Sequence, residues 1–177
     1  TELALELNGP SLYEEYLCQP LQDFLASYWQ KNYLTHSWLA GRTPERFYIG
    51  NQFCHNLFPT ENQLFSIMDK MRSESLEITL AFSYIREFML TSVGKLLEKV
   101  DNWCCIHGVN VEIVVNDWAV VEMLHGKTTR LCPVFGTLLN KRKKDPRMKY
   151  KSGDISLFQR NSLNAKFYRD FLAKEFH

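Results

Sequence analysis

Polar and sulfur side chains follow three hydrophobic segments of this chain, each at the point where the segment ends. They are Asn51 and Cys54 after the first segment, Ser83 after the second, and Asn116 and Asp117 after the third. Amide, hydroxyl and carboxylate groups can bind a ligand or transfer a proton, and a thiolate can hold a soft metal. Because the carboxyl ends of parallel strands meet at one edge of a sheet, we predict a site where these side chains come together.

Asp117, Asn116 and Ser83 are the candidate catalytic residues. A carboxylate in a cleft can act as a general acid or base, with the amide and hydroxyl holding the substrate. An aspartate directly before a helix can equally be an N-cap that accepts hydrogen bonds from free backbone N–H groups. The sequence leaves both interpretations of Asp117 open.

Cys54 is the candidate metal ligand, with Asn51 beside it as a candidate cofactor-binding residue. Iron–sulfur clusters need several thiolate donors, and a single cysteine does not make such a site. A free cysteine is also one of the residue types most often buried for packing alone. Cys104 and Cys105 are neighbours in a predicted helix, where adjacent side chains point to different faces, so we expect them to pack rather than bind metal.

Four strand–helix repeats of roughly 30 residues each are predicted between residue 45 and the end of the chain. The predicted strands are Arg46–Gly50, Leu76–Phe82, Val109–Val115 and Arg130–Gly136. This order is typical of an α/β fold with a parallel sheet, either open and doubly wound or a segment of a barrel. No glycine-rich phosphate loop is present, so a dinucleotide or P-loop nucleotide site is not supported.

Residues 1–44 are predicted to form an N-terminal extension to this 45–177 repeat domain. It would contain a short strand at Leu3–Leu7 and an amphipathic helix from Ser11 to Tyr33, with Ser11 as its N-cap. Pro20 should kink that helix or start a new one.

The charge is unevenly distributed, although the net charge is only +1. Residues 127–177 contain 13 Lys and Arg against 4 Asp and Glu. The densest part contains Lys141, Arg142, Lys143, Lys144 and Arg147. A cluster of this kind, up to Lys151, could bind RNA through its phosphates, or could be a solvated loop.

No segment reaches the roughly 20 apolar residues of a membrane span, and the five cysteines show no disulfide pattern. We therefore expect a cytoplasmic protein with reduced thiols and no membrane contact.

Four segments of the sequence, in this order, resemble the sequences of a known family. They are FYIGNQFC, EITLAFS, VEIVVNDWAVVEML and CPVFGTLLN. Together they are similar to the first four βα units of the collagenase-like peptidase family of unknown catalytic type, peptidase family U-32. The similarity is greatest to its non-peptidase branch, which includes the anaerobic ubiquinone-hydroxylation accessory proteins.

The resemblance implies a TIM-like barrel, of which this chain would form the N-terminal half. In the quinone-hydroxylation branch it also implies a four-iron four-sulfur cluster held by four cysteines, and only Cys54 has a counterpart here. Two functions are therefore expected: an enzyme or enzyme subunit acting at the carboxyl ends of the strands, or a non-catalytic binding or scaffold protein. Because an unclosed parallel sheet has exposed edges, we also predict a homo-oligomer or a second barrel-like chain.

Overall fold

A computed structural model describes residues 2–126, 129–140 and 161–175 of the chain. The strands are β1 (Ala4–Leu7), β2 (Arg46–Gly50), β3 (Glu77–Ala81), β4 (Val111–Val115) and β5 (Leu131–Phe135). The helices are α1 (Pro10–Cys18), α2 (Leu21–Lys31), α3 (Glu61–Ser73), α4 (Leu90–His107), α5 (Trp118–Leu124) and α6 (Lys166–Glu175). Short 3₁₀ turns lie at His55–Leu57, Glu87–Met89 and Ser162–Asn164.

The five strands form one parallel sheet in the order β1-β2-β3-β4-β5. The predicted α/β fold with parallel βα repeats is thus confirmed, and each predicted strand of the repeat domain forms within a few residues of its expected place. In a doubly wound sheet the strand order reverses at a switch point, and here it never reverses. Because parallel crossovers are right-handed, a sequential order places every connecting helix on the same face, as in a partial TIM-like barrel.

One face of the sheet is apolar and packs against the helices, and the other face is more polar. Phe47 and Ile49 of β2 are fully buried, and the ring of Phe47 packs 5.4 Å from that of Tyr16 on α1. The alternate residues Arg46 and Tyr48 are only partly buried. The apolar side chains therefore face the helices, and the face that would line a barrel is more polar, as expected from the period-2 alternation of a strand.

The N-terminal region joins the same sheet. Its strand β1 pairs with β2, so the sheet continues across the predicted boundary at residue 45. The helix after it begins at Pro10 with Gly9 as N-cap, and the predicted Ser11 cap is wrong. Proline suits the first position of a helix because its φ is preset and the N–H it lacks would have no partner there. Pro20 is the N-cap of α2. It therefore starts a new helix, which is one of the two outcomes predicted for it.

Gly50 ends β2 in a conformation that favours glycine, with φ at +110°. A Cβ atom at this position would lie 2.5 Å from the carbonyl oxygen of Ala81 and 2.8 Å from the ring of Phe58. The glycine therefore lets the chain turn out of the sheet while it stays in contact with the end of β3.

Among the described residues, no helix is both long enough and apolar enough to cross a bilayer.

Candidate functional site

Asn116 directly follows β4 at the carboxyl edge of the sheet and is almost completely buried. Its Nδ2 donates to the carbonyl oxygen of Phe82 at 2.9 Å, and its Oδ1 accepts from the backbone N–H of Leu138 at 3.1 Å. Gly136 makes room for it, since a Cβ there would lie 2.7 Å from Asn116 Cγ. The amide thus joins the ends of β3, β4 and β5.

Asp117, the next residue, is the N-cap of α5. Its Oδ1 accepts from the N–H of Ala119 at 2.7 Å, and its Oδ2 accepts from the N–H of Ile85 at 3.3 Å. The capping interpretation of Asp117 is therefore confirmed. The second hydrogen bond also fixes the loop that follows β3 against the start of α5.

Asn51 has a similar role after β2. Its Oδ1 accepts from the N–H groups of Phe53 and Cys54 at 2.9 and 3.0 Å, and its Nδ2 donates to the carbonyl oxygen of Asn8 at 3.3 Å. This is the local side-chain-to-backbone bonding by which asparagine closes a turn. It also joins the loops that follow β1 and β2.

Ser83 is buried and donates its hydroxyl hydrogen to the carbonyl oxygen of Tyr84 at 3.2 Å. It lines a different cavity from Asn116 and Asp117. The structure therefore brings Asn116 and Asp117 into one cavity and places Ser83 in a neighbouring one. Asn51 and Cys54 line neither of these two cavities.

The cavity beside Asn116 and Asp117 has a volume of about 510 Å³ and lies at the carboxyl ends of β3, β4 and β5. Its other lining residues are Tyr84, Trp118, Leu138, Leu139, Ser162 and Tyr168. Among the described residues that line it, Asp117 is the one with a formally charged side chain. The site therefore combines a carboxylate with aromatic rings.

Helix α6 forms one side of this cavity by packing on Trp118. The indole ring meets the rings of Tyr168 and Phe171 edge to face, at centroid distances of 6.3 and 6.1 Å. The Tyr168 hydroxyl donates to the carbonyl oxygen of Leu139 at 3.3 Å, and burial raises the pKa of this phenol. Sequence reasoning missed Trp118 and Tyr168. The position of Trp118 directly after Asp117 was a usable signal, whereas nothing in the sequence linked α6 to this edge.

Within the described residues, the five cysteines are not grouped as the ligand set of an iron–sulfur cluster. Of the five free thiols, Cys54 alone follows a strand at the carboxyl edge, whereas Cys18 and Cys104 lie near helix ends that lead to the opposite edge. No three His, Cys, Asp or Glu side chains in the described part of the chain are grouped so that they could hold a metal ion. A cluster on Cys54 would require ligands from outside these residues.

Cys104 and Cys105 diverge as expected for neighbours on a helix. Cys104 is fully buried, and burial raises the pKa of its thiol to about 12. Cys105 is exposed, with its sulfur 3.5 Å from the hydroxyl oxygen of Thr129. The packing expected of this pair is therefore confirmed for Cys104 and not for Cys105.

The basic residues Lys141, Arg142, Lys143, Lys144 and Arg147 lie outside the described residues, as does the rest of the run to Lys151. Their predicted contact with RNA or another anion stays a prediction.

Comparison of the chain with protein-family models, with curated proteins and with solved structures finds no match to any of them.

Proposed function

We propose that this protein is a ligand-binding half-barrel that takes up a small organic cation in the cavity beside Asp117. The observation that carries this proposal is the lining of that cavity, where the carboxylate of Asp117 stands among the rings of Tyr84, Trp118 and Tyr168. A carboxylate attracts a cation, and the faces of aromatic rings add a cation–π attraction. An amine that carries an aromatic ring would use both features.

Binding is favoured over catalysis because the strand-end polar groups already have structural partners. Both oxygens of Asp117 accept backbone N–H groups, and both polar atoms of Asn116 are bonded to strand ends. A general base needs a free path to the proton that it removes, and Ser83 lines a different cavity from Asp117. The carboxylate can still attract a cation, because each oxygen keeps a second lone pair.

Asp117→Asn removes the charge of Asp117 and keeps the helix cap, because asparagine is as good an N-cap as aspartate. It also loses the hydrogen bond from the N–H of Ile85, since the asparagine NH₂ group cannot accept one. We expect benzylamine to bind in isothermal titration calorimetry, and Asp117→Asn to weaken its binding about tenfold, the equivalent of about 1.4 kcal/mol. Benzyl alcohol, which has the same ring without the charge, should bind more weakly to the wild-type protein.

Glu122→Gln provides the matched control, since Glu122 lies on the same helix α5 and does not line the cavity. This variant should bind benzylamine as the wild-type protein does. The proposal is wrong if the wild-type protein and Asp117→Asn bind benzylamine with equal affinity. It is also wrong if benzylamine and benzyl alcohol bind equally well to the wild-type protein.

A second candidate function is that of an enzyme or enzyme subunit of the collagenase-like peptidase superfamily. It is supported by the sequential strand order, which is that of a barrel segment. It would use the same carboxyl edge, and any cluster at Cys54 would need cysteines from outside the described residues. Anaerobic purification followed by analysis of iron and acid-labile sulfide tests this candidate. Near-equal amounts of both on a defined oligomer would support it, and loss of the iron in Cys54→Ser would identify the ligand.

A further inference from the structure

A second cavity, of about 290 Å³, lies between the loops that follow β2 and β3 and the first turns of α4. Most of its lining is apolar: Phe58, Phe82, Ile85, Met89, Val93 and Leu96. Phe58 and Phe82 stack in parallel with centroids 4.6 Å apart and 22° between their planes. Phe82, Ile85 and Val93 are buried parts of the core, so this wall of the cavity is fixed by the fold itself.

The polar residues that line this cavity among the described residues are His55, Glu61, Ser83 and Ser92, and the carboxylate of Glu61 is paired. The two carboxylate oxygens of Glu61 accept from Lys99 Nζ at 2.6 and 2.7 Å. Ser92 donates its hydroxyl hydrogen to the carbonyl oxygen of Met89 at 2.8 Å, and Ser83 donates to that of Tyr84 at 3.2 Å. Both hydroxyl groups thus retain only acceptor capacity toward the cavity. A ligand would meet an apolar wall, the imidazole of His55 and a few hydrogen-bond acceptors.

We propose that this cavity is a second binding site, for a neutral and mostly apolar molecule about as large as two fused rings, carrying one hydroxyl or N–H donor. The size follows from comparison with an apolar cavity of about 150 Å³, which holds one benzene molecule. The neutrality follows from the Glu61–Lys99 pair, and the donor from the acceptor oxygens of Ser83 and Ser92. Burial of the apolar rings of the ligand supplies the affinity.

This site is distinct from the cation site, although the two share a wall. The loop after β3 separates them: Ser83 and Ile85 line the smaller cavity and Tyr84 lines the larger one. Asp117, in the larger cavity, holds this wall through the N–H of Ile85. Because the ligands differ in charge and the cavities do not merge, each site can be present without the other.

The probe for the second site is 2-naphthol, which is neutral, has two fused rings and carries one donor. We expect saturable binding to the wild-type protein by ligand-observed NMR. Ser92→Trp, which introduces a large side chain at the cavity lining, should raise the Kd at least tenfold. The charged analogue 2-naphthoate should bind more weakly than 2-naphthol, because an apolar site disfavours an unpaired charge.

The matched control is Ser66→Trp on α3. Ser66 is also an exposed helical serine whose hydroxyl donates to a backbone carbonyl, that of Asn62 at 3.0 Å, and it does not line this cavity. Ser66→Trp should leave the Kd for 2-naphthol unchanged. If Ser92→Trp lowers the thermal unfolding temperature, the smaller change Ser92→Leu provides the second variant and should still raise the Kd severalfold.

The proposal fails if the wild-type protein shows no saturable binding of 2-naphthol, if Ser92→Trp binds it as well as Ser66→Trp does, or if 2-naphthoate binds equally well. Benzylamine should not displace 2-naphthol. Loss of benzylamine binding alone would overturn the cation site and leave this one intact.

Discussion

The side chain of Asn116 joins three strand ends with a single buried amide. Its two hydrogen bonds reach Phe82 and Leu138, and each partner is a backbone group at the carboxyl edge of the sheet. Asp117 and Asn51 hold neighbouring loops in the same way. Polar residues at the ends of parallel strands are thus used here to fix the loops that form the cavities, and ligands meet the side chains that these loops present.

Asn116→Ala should destabilise the protein by about 2–4 kcal/mol. The buried carbonyl group of Phe82 loses its hydrogen-bonding partner, which costs about 1–3 kcal/mol, and the partly buried N–H of Leu138 loses its partner at a smaller cost. Urea unfolding followed by circular dichroism measures this free energy. Asn110→Ala is the control. Asn110 is exposed, and its amide oxygen accepts one long hydrogen bond, of 3.4 Å, from the guanidinium of Arg130. That variant should change the free energy of unfolding by less than about 0.5 kcal/mol. Equal effects of the two substitutions would contradict the structural role of Asn116.

At the scale of elements, Arg46 connects four strands at the opposite, amino edge of the sheet. From β2 its guanidinium pairs with Glu2 just before β1 at 2.5 Å, with Glu77 of β3, and with Glu112 of β4 at 2.7 Å. It also donates to the hydroxyl oxygen of Thr79 at 2.8 Å. Three carboxylates from three segments therefore converge on one mostly buried cation, whose planar group can donate to several acceptors at once.

Arg46→Met should destabilise the protein by about 1–3 kcal/mol, because removal of the cation leaves three like charges near one another. The carboxylates are partly exposed, so the loss should be smaller than for a fully buried pair. Chemical unfolding at low and at 1 M NaCl measures both the loss and its partial recovery by screening. Arg72→Met, on the exposed surface of α3, is the control and should change little. A salt-independent loss in Arg46→Met would indicate that packing of the alkyl chain, rather than charge, dominates.

At the scale of the whole molecule, three acidic groups are buried in their neutral forms on the helix side of the sheet. Burial raises the pKa of Tyr13 and Tyr16, and the nearby carboxylate of Glu74 raises that of Tyr16 further. Burial also raises the pKa of the Cys104 thiol to about 12. In the unfolded chain these groups have their ordinary pKa values, about 8.5 for the thiol and about 10 for the phenols.

Stability should therefore fall as the solution becomes alkaline. A group with a raised pKa in the folded state stabilises fully below its unfolded pKa, and this contribution is lost as pH rises toward the folded value. Urea unfolding between pH 8 and 11 should show a decline that steepens above pH 10, by about 1 kcal/mol per pH unit for each buried phenol. Tyr16→Phe should flatten this slope, whereas Tyr33→Phe, at an exposed position, should not. An unchanged slope in Tyr16→Phe would show that its hydroxyl titrates freely in the folded protein.

Association is the second property expected of the whole molecule. Strands β1 and β5 stand at the two edges of the sheet, and Phe53, Phe88 and Phe167 expose large apolar surfaces. Edges and exposed aromatic rings are the features through which chains pair. We predict a mass in light scattering of at least twice the 20.8 kDa of one chain. A single species of 20.8 kDa at low micromolar concentration would contradict this prediction.

The sequence by itself determined the fold class and the approximate place of the strands. Val111–Val115 is β-branched or apolar at four of its five positions, and a period of strand then helix recurs along the chain. These are local properties, because hydrophobic periodicity fixes which face of an element is buried. Pro133 lies inside β5, and proline is disfavoured within a strand, yet this strand forms at the sheet edge, where a missing N–H can face away from the ladder. The Ser11 cap was predicted wrongly because Pro10 takes the first helical position.

Only the tertiary structure decided which side chains share a cavity. The sequence placed Ser83, Asn116 and Asp117 at strand ends, but the direction of each side chain depends on the loop conformation, so Ser83 lies in one cavity and Asp117 in another. The contact of Tyr168 with Trp118 joins residues 50 positions apart, and no local pattern encodes it. The strand order likewise depends on which neighbours each strand meets across the sheet. These are long-range pairings, whose free energy comes from surfaces that meet only after the chain has folded.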